Sequence, residues 1–393
     1  MSTGLRIAII GAGVIGLGIG WRLAQAGCEV DIFDCGVAGG GASWAAAGML
    51  AAGAEAEPTE ERLLALNRTS QVLWPAFARE IEAASGIAIG YRREGTLIIA
   101  LNRDDVVRLR ADYEFQKGLG IPLDWLSAAE AKRREPHLTA GTLAAVHAPE
   151  DHQVDNRCLV QALIAACRGV GARLHENVKS LAVDSEAGRV VGLQLADRRH
   201  ACDFVVLAAG AWSRLVQGLP IEALPPVRPI KGQMLALAMD PAAPLLRHVV
   251  WAPRIYFVPR SHGRLVIGGT VEERGFDARL TAGGMLALLE AAWRAIPAIE
   301  ELAIEETWVG FRPGSPDDAP ILGPGAVDGL VIATGHHRNG ILLAPITALT
   351  ISDYLLTGSL AETIRPFGHK RFASRTLETS NEDRSETWTS LSA

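Results

Sequence analysis

Gly11-Ala12-Gly13-Val14-Ile15-Gly16, preceded by the run Leu5–Ile10, is the stretch whose reading decides the fold. The run reads as a buried parallel strand. A glycine turn follows, then a helix from Val14 to about Ala26, stopped at Gly27, a residue suited to the position just past a helix end. Glu29–Phe33 reads as a second strand, so the chain opens with a βαβ unit, the start of a doubly wound sheet. With 41 glycines in 393 residues, G-x-G-x-x-G alone could be a ligand-free turn. Its context favours a dinucleotide site, because Asp34 ends the second strand where a ribose-binding carboxylate belongs. Gly11 permits the tight turn, Gly13 lets backbone approach a pyrophosphate, and Gly16 lets helix and strand pack closely. The helix N-terminus then offers unpaired N–H groups and a positive dipole end to phosphates.

Two later strands extend the same sheet. Phe204–Leu207 runs into Ala208-Ala209-Gly210, and Leu330–Ala333 into Thr334-Gly335, followed by an apolar helix from Gly340 to Leu356. Between them Gly95–Leu101, Leu235–Ala238, Arg254–Val258 and Arg264–Gly268 read as half-buried antiparallel strands of a second domain.

A length of 393 residues suits two domains, and 49% hydrophobic with 21% charged residues describes an ordinary globular chain. The net charge of −6 gives no reason to expect nucleic acid or an anionic membrane as partner. Histidines and cysteines show no metal-ligand spacing, so no metal is expected. Cys28, Cys35, Cys158, Cys167 and Cys202 are scattered and odd in number, which suggests reduced thiols and a cytoplasmic location. Leu5–Ile10 is too short and too closely followed by glycines to be an anchor.

Which dinucleotide binds is read from two small-residue segments at opposite ends of the chain. One is Gly39–Leu50, containing Ala42, Ser43, Ala47, Gly48 and Met49. The other is Thr334-Gly335-His336-His337-Arg338-Asn339-Gly340 at a strand-to-helix junction. Backbone from both ends packed against one large flat group points to FAD.

These segments carry a resemblance. Together with Pro229–Gln233, Tyr256–Arg260, Trp308–Pro313 and Gly335–Pro345, they make the chain similar to the D-amino-acid-oxidase superfamily of flavoenzymes, and within it to the ThiO-type glycine-oxidase branch. The likeness spans about residues 5 to 360. It implies an α/β FAD-binding (Rossmann-like, doubly wound) domain at 1–84, 140–222 and 308–365. An α+β antiparallel-sheet substrate domain would occupy 85–139 and 223–307. The polar stretch 372–393 is expected to be a disordered tail.

The resemblance also implies noncovalent FAD and oxidation of glycine, sarcosine or small D-amino acids by oxygen, giving imine or glyoxylate, ammonia and hydrogen peroxide. In thiamine biosynthesis the imine would pass to a thiazole synthase. A homo-oligomer is expected. By position, FAD contacts fall to Gly11, Gly13, Val14, Ile15, Gly16, Asp34, Cys35, Ala42, Ser43, Ala47, Gly48, Met49, Val178, Ala209 and Gly210, and to His336, His337, Arg338, Asn339, Gly340, Ile341 and Leu342. Substrate contacts fall to Tyr256, Arg312 and Arg338. One departure is Val271, where relatives can carry methionine. The last cysteine is Cys202, which leaves no C-terminal cysteine for a covalent flavin.

Arg312 sits among apolar residues, where a charge needs a partner, and its planar fork suits a substrate carboxylate. Tyr256 would donate its phenol to the same carboxylate, although a cross-strand aromatic is the competing reading. The backbone at His336–Arg338 would face the flavin pyrimidine as a helix-terminus anion site. No general base stands out: His248 and His262 read as surface or turn residues. Competing functions are a dehydrogenase feeding a quinone or carrier, a protein using FAD structurally, and an NAD dehydrogenase.

Overall fold

The computed structural model describes residues 4–55 and 60–372. Strand Arg6–Ile10 lies inside a six-stranded sheet with the order 321–324, 330–334, 204–207, 6–10, 29–33, 173–175. All neighbours are parallel except Ile321–Pro324, which turns back against Leu330–Thr334. Side chains alternate along a strand, and the two faces have different coverings. Ile7 and Ile9 point to helices Val14–Gln25, Glu61–Ser85, Asn156–Gly169 and Ala344–Thr357. Ala8 and Ile10 point to a three-stranded antiparallel sheet spanning Leu181–Ala201. The parallel sheet is thus buried on both faces, as its unbroken aliphatic strands require.

The glycine turn has the steric demands its spacing implies. Gly11 has φ +106°, and a Cβ there would strike the Ala208 backbone; one at Gly16 would strike the Gly11 carbonyl. Helix Val14–Gln25 ends with Gly27 at φ +88°. The last long helix begins at Ala344 rather than Gly340. Residues 337–339 form a 3₁₀ turn first, and Pro345 enters the helix in its first turn, where a missing N–H costs nothing.

The second sheet has eight strands, ordered 304–314, 228–238, 264–268, 255–259, 249–252, 96–100, 144–148, 124–127. Two differences from the sequence reading follow. Val249–Ala252 and Thr96–Ala100 pair in parallel within an otherwise antiparallel sheet. The strands are also mostly buried rather than half-buried, because both faces are covered. Leu235, Leu237, Phe257, Leu265 and Ile267 pack on helix Ala282–Ala295. Met234, Tyr256, Val258 and Val266 face Ala47 and Met49 from the first domain.

The sheet also reaches past the expected domain limits. Ala144–Ala148 lies beyond residue 139 but pairs with Thr96–Ala100 and Asp124–Ser127. Ile304–Gly314 runs through position 308 as one strand, held along Arg228–Ala238. The expected tail falls outside the described residues except for Phe372, which is buried against Val227, Ile321 and Ile332. No helix among the described residues is long and apolar enough to cross a membrane.

Candidate active site

A cavity of about 1930 Å³ runs from the glycine turn to the front of the eight-stranded sheet. Its first wall is the C-terminal edge of the parallel strands, where ligands of doubly wound sheets collect. Gly11, Gly13, Val14, Ile15, Asp34, Cys35, Ala42, Ser43, Ala47, Gly48, Met49, Ala209 and Gly210 line it, with His337, Arg338, Asn339, Gly340 and Ile341 opposite. Four expected contacts do not face it. Gly16 is pressed beneath the Gly11 carbonyl. Val178 donates its N–H to the Asp34 carbonyl at 2.9 Å. His336 is buried with Nε2 3.1 Å from Thr347 Oγ1. The Leu342 carbonyl accepts from Trp74 Nε1 at 2.9 Å and Ser70 Oγ at 2.6 Å, which fixes the turn ahead of the last helix.

The chemistry of this wall fits FAD. The first helix has no acidic residue in its opening turn and no side-chain cap from Gly13, so nothing negative occupies the phosphate end. Ser43 Oγ accepts the Val14 N–H at 2.9 Å, which ties the second small-residue segment to the helix start. Asp34 accepts from the Ala12 and Gly36 amides at 2.8 and 2.9 Å, one on each oxygen. Each oxygen keeps lone-pair capacity for a hydroxyl. Burial pushes the Asp34 carboxyl up, while those two amides oppose the shift. His336 and His337 are held down to about 3 and about 4 by burial. Both side chains are therefore neutral near pH 7 and add no positive charge beside the backbone N–H groups there.

At the far end, Arg312 reaches from strand Ile304–Gly314 across Gly232, where a Cβ would stand 2.5 Å from Nη1. Nη1 donates to the Thr270 carbonyl at 3.0 Å, and no carboxylate pairs with this guanidinium among the described residues. Tyr256 Oη reaches Met234 Sδ at 3.3 Å, a weak acceptor that leaves the phenol free to prefer a better one. A Cβ at Gly268 would stand 2.5 Å from that Oη. Glycine at 232 and 268 thus makes room for the two polar groups, a signal that becomes visible only once the strands are paired.

Arg338, expected to contact substrate as well as FAD, also carries carboxylate partners of its own. It lines the cavity, but its Nε lies 3.0 Å from Glu55 Oε2 and its Nη2 2.7 Å from Glu60 Oε2. Its charge is already answered. Val271 is 71% exposed, so it sits at the rim of the cavity rather than inside. His248 is bound to Glu135 at 2.6 Å, and neither it nor His262 lines the cavity. Glu55, Met234, Trp251 and Thr270 line it without having been singled out by sequence.

The site is an elongated, small-residue groove with one unpaired guanidinium and one phenol at its end. It can hold a small carboxylate there. Tyr256→Phe is expected to weaken that hold by about 1 kcal/mol, roughly five- to tenfold in KM, with flavin content unchanged. A variant that loses flavin instead would mark Tyr256 as structural.

The family model described as FAD dependent oxidoreductase (DAO) matches residues 6–354. The chain belongs to this family. As an FAD-dependent oxidoreductase it is 38% identical over 368 residues to the glycine oxidase of Geobacillus kaustophilus (strain HTA426), covering 93% of this chain and 96% of that one. The crystal structure of glycine oxidase from Geobacillus kaustophilus superposes with a TM-score of 0.87 at 36% identity, covering 93% and 99% of the two chains. The bifunctional protein ThiO/ThiG of Trichormus variabilis is 36% identical over 93% of this chain, which spans 55% of that longer protein. FAD is the cofactor of this oxidoreductase, and the cavity that would hold it joins both sheets.

Proposed function

We propose that this FAD-dependent oxidoreductase oxidises glycine, and also sarcosine or small D-amino acids, and passes the electrons to oxygen. The observation that carries the reading is the unpaired Arg312 fork beside the Tyr256 hydroxyl, inside a flavin-family cavity of a chain similar to glycine oxidases. Arg312 binds the substrate carboxylate through two parallel hydrogen bonds, and Tyr256 adds a third. This fixes the amino acid at one end and turns its Cα–H bond toward the cofactor, so orientation is the protein's main contribution. Bound FAD supplies the hydride acceptor. Thr270, through its carbonyl, keeps Arg312 from swinging away.

The cofactor contacts proposed are the cavity-lining members of the glycine turn, the 42–49 segment, Ala209, Gly210 and residues 337–341. Cys35 is the cysteine lining this cavity among the described residues, and burial pushes its thiol up to about 11. A thiol kept protonated is a poor nucleophile, which supports noncovalent FAD. The fused ThiO/ThiG relatives support handover of the imine to a thiazole synthase. A homo-oligomer acting in the cytoplasm completes the proposal.

The test is anaerobic bleaching of the FAD-loaded protein by a panel of glycine, sarcosine, D-alanine and D-proline, followed by admission of oxygen. Glycine should bleach the flavin, and oxygen should restore it with release of hydrogen peroxide. Bleaching that only a quinone reverses would make the protein a dehydrogenase. One added methylene changes the preference by about 1–3 kcal/mol, so the panel resolves the order of substrates.

A further inference from the structure

Glu55 forms part of the cavity wall, yet neither cofactor binding nor the grip on a carboxylate uses it. Its side chain is only 8% exposed, and Oε2 pairs with Arg338 Nε at 3.0 Å. Arg338 has a second anchor, with Nη2 donating to Glu60 Oε2 at 2.7 Å. A carboxylate oxygen has more than one lone pair, so the pairing with Arg338 leaves Glu55 able to accept a further hydrogen bond from a group in the cavity.

The groups acting on Glu55 come from several elements. Arg338 and Arg312 favour its ionised form, Asp151 disfavours it, and the Tyr256 phenol lies within its field. Asp151 is itself tied to the Gly53 and Ala54 amides and to Gln71. Burial outweighs the two arginines and pushes Glu55 up to about 7. Its charge therefore changes in the range where a proton acceptor works best.

The proposed reaction has a need that this group meets. A free amino acid arrives with its nitrogen protonated, and loss of a hydride from Cα requires that nitrogen's lone pair. One proton must leave first. Arginine cannot take it, and the Tyr256 phenol is already protonated. His337 lines the same cavity, but burial holds it at about 4, which makes it a much weaker base than Glu55.

Resting on the reading that places the substrate carboxylate at Arg312, we infer that Glu55 accepts the proton of the substrate ammonium. One N–H bond breaks with its electron pair left on nitrogen, and one O–H bond forms on the Glu55 carboxyl. A neutral amine and a neutral carboxylic acid replace a buried ion pair. The low-dielectric cavity favours that exchange.

The test uses the FAD-loaded enzyme, glycine at saturation without oxygen, and flavin bleaching from about pH 6 to about pH 10. The competent form is the carboxylate, so the wild-type rate should fall as pH drops through about 7. Glu55→Gln should lose about a hundredfold at pH 7 and recover in alkali, where glycine sheds its own proton. Glu55→Asp should restore activity near neutrality. Glycolate, a carboxylate without an amine, should perturb the flavin spectrum of Glu55→Gln as it does the wild type.

A Glu55→Gln profile that overlies the wild type overturns the inference. So does an equal loss at every pH, which would make Glu55 a brace for Arg338. Should Glu55→Gln lose FAD, the profile of Glu55→Asp decides: a displaced acid limb supports the inference, and an unmoved one overturns it. Glycolate binding that ignores Arg312→Lys would instead overturn the placement of the substrate, whatever Glu55 does.

Discussion

Arg312→Lys is expected to raise the KM for glycine roughly 30- to 150-fold, a loss of about 2–3 kcal/mol, while the protein stays yellow. The charge survives this substitution, so the loss isolates geometry. An ammonium offers donors without the planar fork, and it cannot hold both carboxylate oxygens while also reaching the Thr270 carbonyl now bound at 3.0 Å. Gly232 sharpens the prediction. The guanidinium lies flat against it, and Gly232→Ala should mimic the arginine variant, because a Cβ would stand 3.0 Å from Cζ. Steady-state kinetics with glycine, alongside flavin absorbance, checks both variants. If lysine serves as well as arginine, the substrate carboxylate is bound elsewhere.

Arg260→Met should have the largest effect on stability. Arg260 is 4% exposed and donates to the Ala47 and Val154 carbonyls at 2.7 and 2.8 Å, and to Asn156 and Gln153 at 3.0 and 3.1 Å. Asp155 Oδ2 lies 3.7 Å from its Nε. Burial brings this guanidinium down to about 10, so it remains charged at neutral pH. Methionine fills similar space but leaves these acceptors without a donor, at a cost of about 3–5 kcal/mol. In a chain of this size that is roughly a 4–6 °C fall in Tm. Ala47 lies in the proposed flavin-binding stretch, so the variant should also release FAD more readily. Calorimetry and the flavin-to-protein absorbance ratio measure the two effects. A Tm within about 2 °C of wild type would show that the pin is dispensable.

The opening βαβ unit was legible because its signals are local. Continuous aliphatic strands, a glycine turn and a glycine stop all fall within 33 residues, and the observed limits 14–25 and 29–33 match them closely. Arg264–Gly268 and Phe204–Leu207 were legible for the same reason. Helix Glu61–Ser85 carries a readable stripe, Leu63, Leu66, Ser70, Trp74, Phe77 and Ile81, but its charges and Pro75 obscure it. Arg228–Ala238 was only partly seen, since Pro229, Lys231 and Gln233 look like loop residues. Lys231 is nonetheless buried, with Nζ donating to the Arg279 carbonyl at 2.7 Å.

The site divides along the same line. Residues in contiguous motifs, such as the glycine turn and Ala45–Leu50, announce themselves in sequence. Tyr256 and Arg312 required the family resemblance, because single polar residues on strands carry no pattern of their own. Glu55 could not be found that way, since the charges that act on it lie nearly 100 and 300 positions further on, at Asp151 and Arg338. Parallel pairing between Thr96–Ala100 and Val249–Ala252 is equally remote, and nothing in either strand specifies it.

The chain passes repeatedly between the two sheets, and segments 42–49, 251–256, 268–271, 310–312 and 337–341 all contribute to the cavity lining. Contacts of such long sequence separation form late, after much loop-closure entropy has been lost. A newly made chain therefore acquires its cofactor pocket near the end of folding rather than as an early, separable module. By mass action, free FAD at a hundred times its Kd would deepen the native well by about 2.7 kcal/mol. Cellular flavin supply then becomes a determinant of how much of this enzyme survives proteolysis, and riboflavin starvation should deplete the protein itself along with its activity.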